Sequence, residues 1–246
     1  MQLLVSVRSA VEVAAAVEGG ADIIDAKEPS RGSLGAVDPA ALAGIAHAVP
    51  DGLPLSIALG DLGAPRAVPG AVELIRAVPR RPAKLYVKVG LAGVAQPELA
   101  RSVLEAAVDA ARRAPLEPDV VAVAYADNEA AGAISPPAVF DAAAAVGARG
   151  VLLDTWTKDG RPLFAWAGPS EIRTWLDGAR SRGLLTALAG SLSLDHVDLL
   201  RRLAPDVFGV RGTVCEGGRS GSISAHLVRQ LAVAKARSAP SLEALV

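Results

Sequence analysis

Eight short apolar runs of β type punctuate the chain, at residues 3–7, 21–26, 53–59, 84–89, 120–125, 150–154, 184–189 and 206–210. Longer, alanine-rich stretches separate them, and those at 11–18, 97–113, 137–146, 170–182, 194–203 and 222–236 carry helical patterning. Runs that are apolar throughout suit strands buried on both faces, and parallel neighbours need a crossover long enough for a helix. The intervals supply that length. Eight such units in 246 residues predict one α/β domain over 1–246, a closed (β/α)8 TIM barrel. An open doubly wound sheet shows the same alternation, but the count of eight and the lack of a Gly-x-Gly-x-x-Gly turn after the first run favour the closed ring. The weakest unit is the proline-rich stretch 65–82, where Val72-Glu73-Leu74-Ile75-Arg76 predicts a short helix opened by Pro69.

Composition narrows the function. With 51% hydrophobic and 21% charged residues the chain has material for a large core, which excludes a disordered protein. Lys+Arg 25 against Asp+Glu 26 leaves no net field for a polyanion, so neither nucleic acid nor an anionic membrane is expected as a partner. Aromatic residues are only 3%, too few for base-stacking platforms. A phosphate, if bound, must be held locally. The single cysteine, Cys215, excludes an internal disulfide and a Cys-based zinc cage and reads as a bystander thiol. The N-terminal run turns polar too early for a signal segment, and the expected compartment is the cytoplasm. His47, His196 and His226 show no ligand spacing, so neither metal nor cofactor is expected. A homo-oligomer is the general expectation for an enzyme of this size.

In a barrel, polar residues at the carboxyl ends of the strands belong to the active site. Only five of the 25 Lys+Arg are lysine, and Lys27, Lys88 and Lys158 lie at or just beyond the second, fourth and sixth runs. An amine that can lose its proton can form an imine with a carbonyl; a guanidinium cannot. Asp25 shares a strand face with Lys27, as Tyr86 does with Lys88. Neighbouring ammonium groups and burial each lower a lysine pKa, which makes one amine a nucleophile and lets another move protons. Each lysine has a plainer reading as a strand-end charge reaching solvent. Asp154, closing the sixth run, can hold Lys27 or Lys88, or simply cap a loop.

Gly190 and Ser191 after the seventh run, and Arg211 and Gly212 after the eighth, occupy the usual phosphate-binding positions. There glycine lets backbone N–H groups approach an anion, and Arg211 is expected to chelate two phosphate oxygens. The polar loop 27–35 is long enough to cover a ligand.

These residues fall in blocks that resemble one family. Gly19-Gly20-Ala21-Asp22-Ile23-Ile24-Asp25-Ala26-Lys27-Glu28-Pro29, Tyr86-Val87-Lys88-Val89-Gly90-Leu91, Leu153-Asp154-Thr155-Trp156-Thr157-Lys158-Asp159-Gly160, Ala187-Leu188-Ala189-Gly190-Ser191-Leu192 and Gly209-Val210-Arg211-Gly212 resemble, in order, the (5-formylfuran-3-yl)methyl phosphate synthases of methanofuran biosynthesis. The Asp-Ala-Lys-Glu-Pro and Asp-Thr-Trp-Thr-Lys-Asp-Gly blocks together are specific. The resemblance implies a class I aldolase-like lyase that condenses two glyceraldehyde 3-phosphate molecules, with loss of phosphate and water. It implies a Schiff base on Lys27, proton acceptance by Lys88, and Asp154 and Lys158 in the same pocket. A second phosphate has no equally clear home in the sequence, where Lys158 and Arg31 are the candidates. Another class I aldolase acting on a sugar phosphate is the alternative. The segment 61–81 has no clear anchor in the family pattern.

Overall fold

A computed structural model describes residues 1–79 and 82–236. Eight parallel strands close into a barrel in chain order: β1 (Gln2–Val7), β2 (Ile23–Ala26), β3 (Leu55–Asp61), β4 (Leu85–Gly90), β5 (Asp119–Tyr125), β6 (Gly150–Asp154), β7 (Leu185–Leu188) and β8 (Val207–Val210). β8 pairs back onto β1, with Leu3 opposite Phe208. The predicted (β/α)8 ring is the fold of the chain. The domain expectation of 1–246 includes 80, 81 and 237–246, which lie outside the described residues.

The helices are α1 (Ala10–Glu18), α2 (Pro39–Ala48), α3 (Val68–Val72), α4 (Pro97–Arg113), α5 (Asn128–Ala131), α6 (Pro136–Ala145), α7 (Pro169–Ser181), α8 (Val197–Leu203) and α9 (Ala225–Ala236). α4 shows why the ring forms. Proline opens it, Arg112 and Arg113 sit in its last turn, and Ala100, Val103, Leu104, Ala107, Val108 and Ala111 make a buried stripe at helical spacing. That stripe packs against the outward residues of the strands, such as Val87 and Val89, in the larger hydrophobic cluster. Each such Val or Leu contributes about 1.5–3 kcal/mol on burial. The inward residues form a second, smaller cluster around Ile23, Ala58, Val121, Leu152, Ala187 and Val207. Among the described residues no helix is long and apolar enough to cross a membrane.

Three local readings change. The helix expected over 222–236 begins at Ala225, because Ser222–Ile223 pairs antiparallel with Cys215–Glu216 as a small hairpin. Gly217 and Gly218, both at positive φ, make its turn. The helix expected over 194–203 opens as a 3-10 turn, Leu194–His196. In the proline-rich unit α3 starts at Val68 and continues as a 3-10 turn over Glu73–Ala77. The β3–β4 register also slips between Ala58 and Asp61, which sets Asp61 beside Gly90.

Candidate active site

A cavity of about 310 Å³ opens at the carboxyl ends of the strands and reaches down inside the ring. Its wall contains Lys27, Lys88, Asp154, Lys158, Gly190, Ser191, Arg211 and Gly212, so eight of the nine residues singled out from the sequence converge on one chamber. Asp25 is the ninth. It is fully buried just behind the wall and reaches the chamber through Lys88. Strand alternation explains part of the convergence, since Asp25, Lys88 and Asp154 stand on the inward face of β2, β4 and β6, and the others follow β2, β6, β7 and β8 at the rim.

The charges are arranged in pairs around one unpaired amine. Lys88 Nζ donates to Asp25 Oδ2 at 2.7 Å, and the same oxygen accepts from Ser6 Oγ at 2.7 Å. Burial alone would raise the Asp25 carboxyl, but Lys88 and Lys27 outweigh it and hold it low. Lys158 Nζ donates to Asp154 Oδ1 at 2.8 Å. Asp154 is likewise pushed up by burial and then pulled down to about 2, chiefly by the charges of Lys158 and Lys27. Lys27 is only 7% exposed, and among the described residues its Nζ has no hydrogen bond or ion pair. Burial first, and the charge of Lys88 second, bring it down to about 7, against the upward pull of Asp154 and Asp25.

Neighbouring loops hold these groups. Ser33, in the loop after β2, donates to Thr155 O at 2.9 Å and to Asp154 Oδ2 at 3.3 Å. Tyr125, at the end of β5, donates its hydroxyl hydrogen to Asp61 Oδ1 at 2.6 Å. Burial and the nearby Asp61 charge raise the Tyr125 pKa, so the phenol stays a donor. Gly90 makes room for this brace, because a Cβ there would overlap Asp61 Oδ1. Asp127 accepts from the backbone N–H groups of Trp156 and Thr157, both at 2.7 Å, and fixes the turn that carries Lys158. Asp61, Tyr125, Ser33 and Asp127 were not singled out from the sequence as site residues. The signal was thin: polar residues at strand ends, with partners far away along the chain.

The phosphate side departs from expectation at one residue. Gly190 lies at φ 102 with its Cβ position only 2.9 Å from Thr155 Cγ2, so the backbone there can face the cavity only as glycine. Among the described residues, the N–H groups of Gly190 and Ser191 donate to no other backbone group. Arg211 is different. Its Nη1 donates to Glu12 Oε2 and Ser6 O at 2.9 Å, its Nη2 to Glu12 Oε1 and Gly221 O at 3.1 Å, and its Nε to Arg219 O at 2.9 Å. All five N–H donors of the guanidinium are spent. Arg211 thus has none left for a phosphate, and the expected chelation is corrected to a structural bond between the β8 loop and α1. Arg31, the other guess, is exposed and pairs with Asp38 at 2.9 Å.

A polar chamber at the carboxyl mouth of a closed parallel ring is where the (β/α)8 enzymes carry their active sites. Phosphoribosyl anthranilate isomerase of Thermus thermophilus shares the fold at a TM-score of 0.60 and 17% identity, over 95% of this chain and 98% of that one. The 3-hexulose-6-phosphate synthase of Salmonella typhimurium gives 0.61 and 19%, over 96% and 100%. More particularly, the chain belongs to the family described as 4-HFC-P synthase, whose sequence model matches residues 3–232. Curated relatives named (5-formylfuran-3-yl)methyl phosphate synthase include that of Archaeoglobus fulgidus, 39% identical over 94% of this chain and 97% of its own length. That of Methanopyrus kandleri is 40% identical over 96% and 99%.

Proposed function

We propose that the protein condenses two molecules of glyceraldehyde 3-phosphate into (5-formylfuran-3-yl)methyl phosphate through an imine on Lys27, as a step toward methanofuran or an analogue of it. The observation that carries this reading is the single unpaired, buried amine of Lys27 set between the Lys88–Asp25 and Lys158–Asp154 pairs. A buried lysine whose pKa is brought down to about 7 is available as a neutral nucleophile.

In the proposed sequence the Lys27 nitrogen adds to the aldehyde carbon of one triose. The resulting hydroxyl leaves as water on taking a proton from the Lys88 ammonium. The iminium draws electrons from the adjacent C–H bond, and Lys88, now neutral, accepts that proton. The enamine carbon then forms the carbon–carbon bond to the aldehyde of the second triose, whose new alkoxide takes a proton from the Lys158 ammonium, with Asp154 holding that side chain in place. Two trioses less one phosphate and two waters have the composition of the product, so no oxidant or reductant is required. The backbone of Gly190, Ser191 and Gly212 is assigned to one phosphate.

Product analysis tests the proposal. Purified protein given only glyceraldehyde 3-phosphate should release one inorganic phosphate for each furan aldehyde seen by mass spectrometry. A six-carbon product that keeps both phosphates would point to ordinary aldol chemistry instead.

A further inference from the structure

The described cations of the chamber fall into two kinds. Lys88, Lys158 and Arg211 each have a carboxylate partner within ion-pair distance, in Asp25, Asp154 and Glu12. Lys27 has none, and neither does Arg219, which lines the same cavity from the hairpin after β8. Arg219 is partly buried, and it is close enough to Asp154 for the two charges to feel one another. Its Nη2 donates to Gly32 O at 2.9 Å and Pro29 O at 3.4 Å. Among the described residues its Nε and Nη1 donate to nothing. A guanidinium with an unspent edge in a cavity wall, and no carboxylate within ion-pair distance among the described residues, is arranged for an external anion.

Its surroundings fit a phosphate monoester. Gly212 is in contact with the Arg219 backbone, its Cβ position lying 3.6 Å from Arg219 N, so the two are on the same side of the chamber. The bond from Arg211 Nε to Arg219 O fixes the Arg219 backbone. Arg211 therefore acts on the anion side of the cavity by holding the arginine that faces it.

We propose that Arg219 recognises the phosphate of the aldehyde substrate, the role that Arg211 was expected to fill. The assignment rests on the triose-phosphate reading above, and it adds the side chain that makes the site select a phosphorylated aldehyde over a free one. Through Gly32 O and Pro29 O the same side chain ties the anion to the loop whose Ser33 grips Asp154.

The test compares borohydride-trapped adducts formed with glyceraldehyde 3-phosphate and with glyceraldehyde, in the wild type and in Arg219→Gln. The ratio of the two trapping rates, phosphorylated over free, should fall about ten- to hundredfold in Arg219→Gln, the range set by charge-assisted hydrogen bonds. Arg219→Lys keeps the charge but loses the fork and should fall between; it also serves if Arg219→Gln does not fold. Inorganic phosphate should slow trapping of the phosphorylated aldehyde and raise the melting temperature of the wild type, and do neither in Arg219→Gln. An unchanged ratio, with both aldehydes slowed alike or neither slowed, would overturn the assignment, as would phosphate protection that survives in Arg219→Gln. If the wild type forms no adduct with either aldehyde, the imine reading fails, and the phosphate-dependent melting shift still decides the role of Arg219.

Discussion

Lys88 Nζ stands 2.7 Å from Asp25 Oδ2 with both side chains buried, while Lys27, also buried, has no such partner. Burial first, and the charge of Lys88 second, bring the Lys27 amine down to about 7, with Asp25 pulling the other way.

The first prediction concerns pH. Only the neutral amine attacks a carbonyl, so the rate of adduct formation at Lys27 should rise about tenfold from about pH 6 to about pH 8 and then level off. Stopped trapping reactions across that range measure it. A profile that keeps climbing toward pH 10 would mean an ordinary lysine.

Stability should follow the same group. Lys27 is lowered from 10.5 to about 7, so between those values the unfolded chain binds more protons than the folded one. Its cost to the folded state is full below about 7 and fades as pH rises toward 10.5. Lys27→Met should remove that slope and stabilise the protein by about 1–4 kcal/mol at neutral pH while abolishing the adduct. Urea titrations at several pH values are the check.

Asp25→Asn leaves the buried Lys88 ammonium without its counter-charge and should cost about 3–5 kcal/mol in urea unfolding. Adding Lys88→Met should return most of that loss. Two losses that simply add would show that the residues do not act as a pair.

Arg211→Ala separates a structural from a ligand-binding role. With five donors committed inside the chain, its removal leaves Glu12 only Arg8 as a partner and should destabilise by about 1–3 kcal/mol. A phosphate ligand would instead raise KM and leave the unfolding midpoint where it was.

Gly90→Ala should break the brace behind Asp154 by pushing Asp61 away from Tyr125. The loss expected is about 1–3 kcal/mol of stability, with kcat falling more than KM rises. Tyr125→Phe should reproduce the kcat effect with little change in the barrel, read by circular dichroism.

The ring and the lysine cluster were legible because both follow from local rules. Strands buried on two faces give unbroken apolar runs, and lysine is scarce enough here that three at strand ends stand out. Roles fixed by distant partners were not legible. Arg211 looks like a phosphate residue beside glycines, yet its carboxylate partner, Glu12, lies 199 positions earlier. The contact between Asp61 and Tyr125 depends on a register slip between β3 and β4 that no hydrophobic pattern records. Arg219 lies just beyond the glycines that follow Arg211 in the chain. Only the spent donors of Arg211 and the unspent edge of Arg219 distinguish one arginine from the other.

The most direct test of the central claim is the position of the covalent link. After reduction with borohydride in the presence of glyceraldehyde 3-phosphate, peptide mapping should find the added mass on Lys27, and Lys27→Ala should carry none. Mass found instead on Lys88 or Lys158, or no adduct in the wild type, would contradict it.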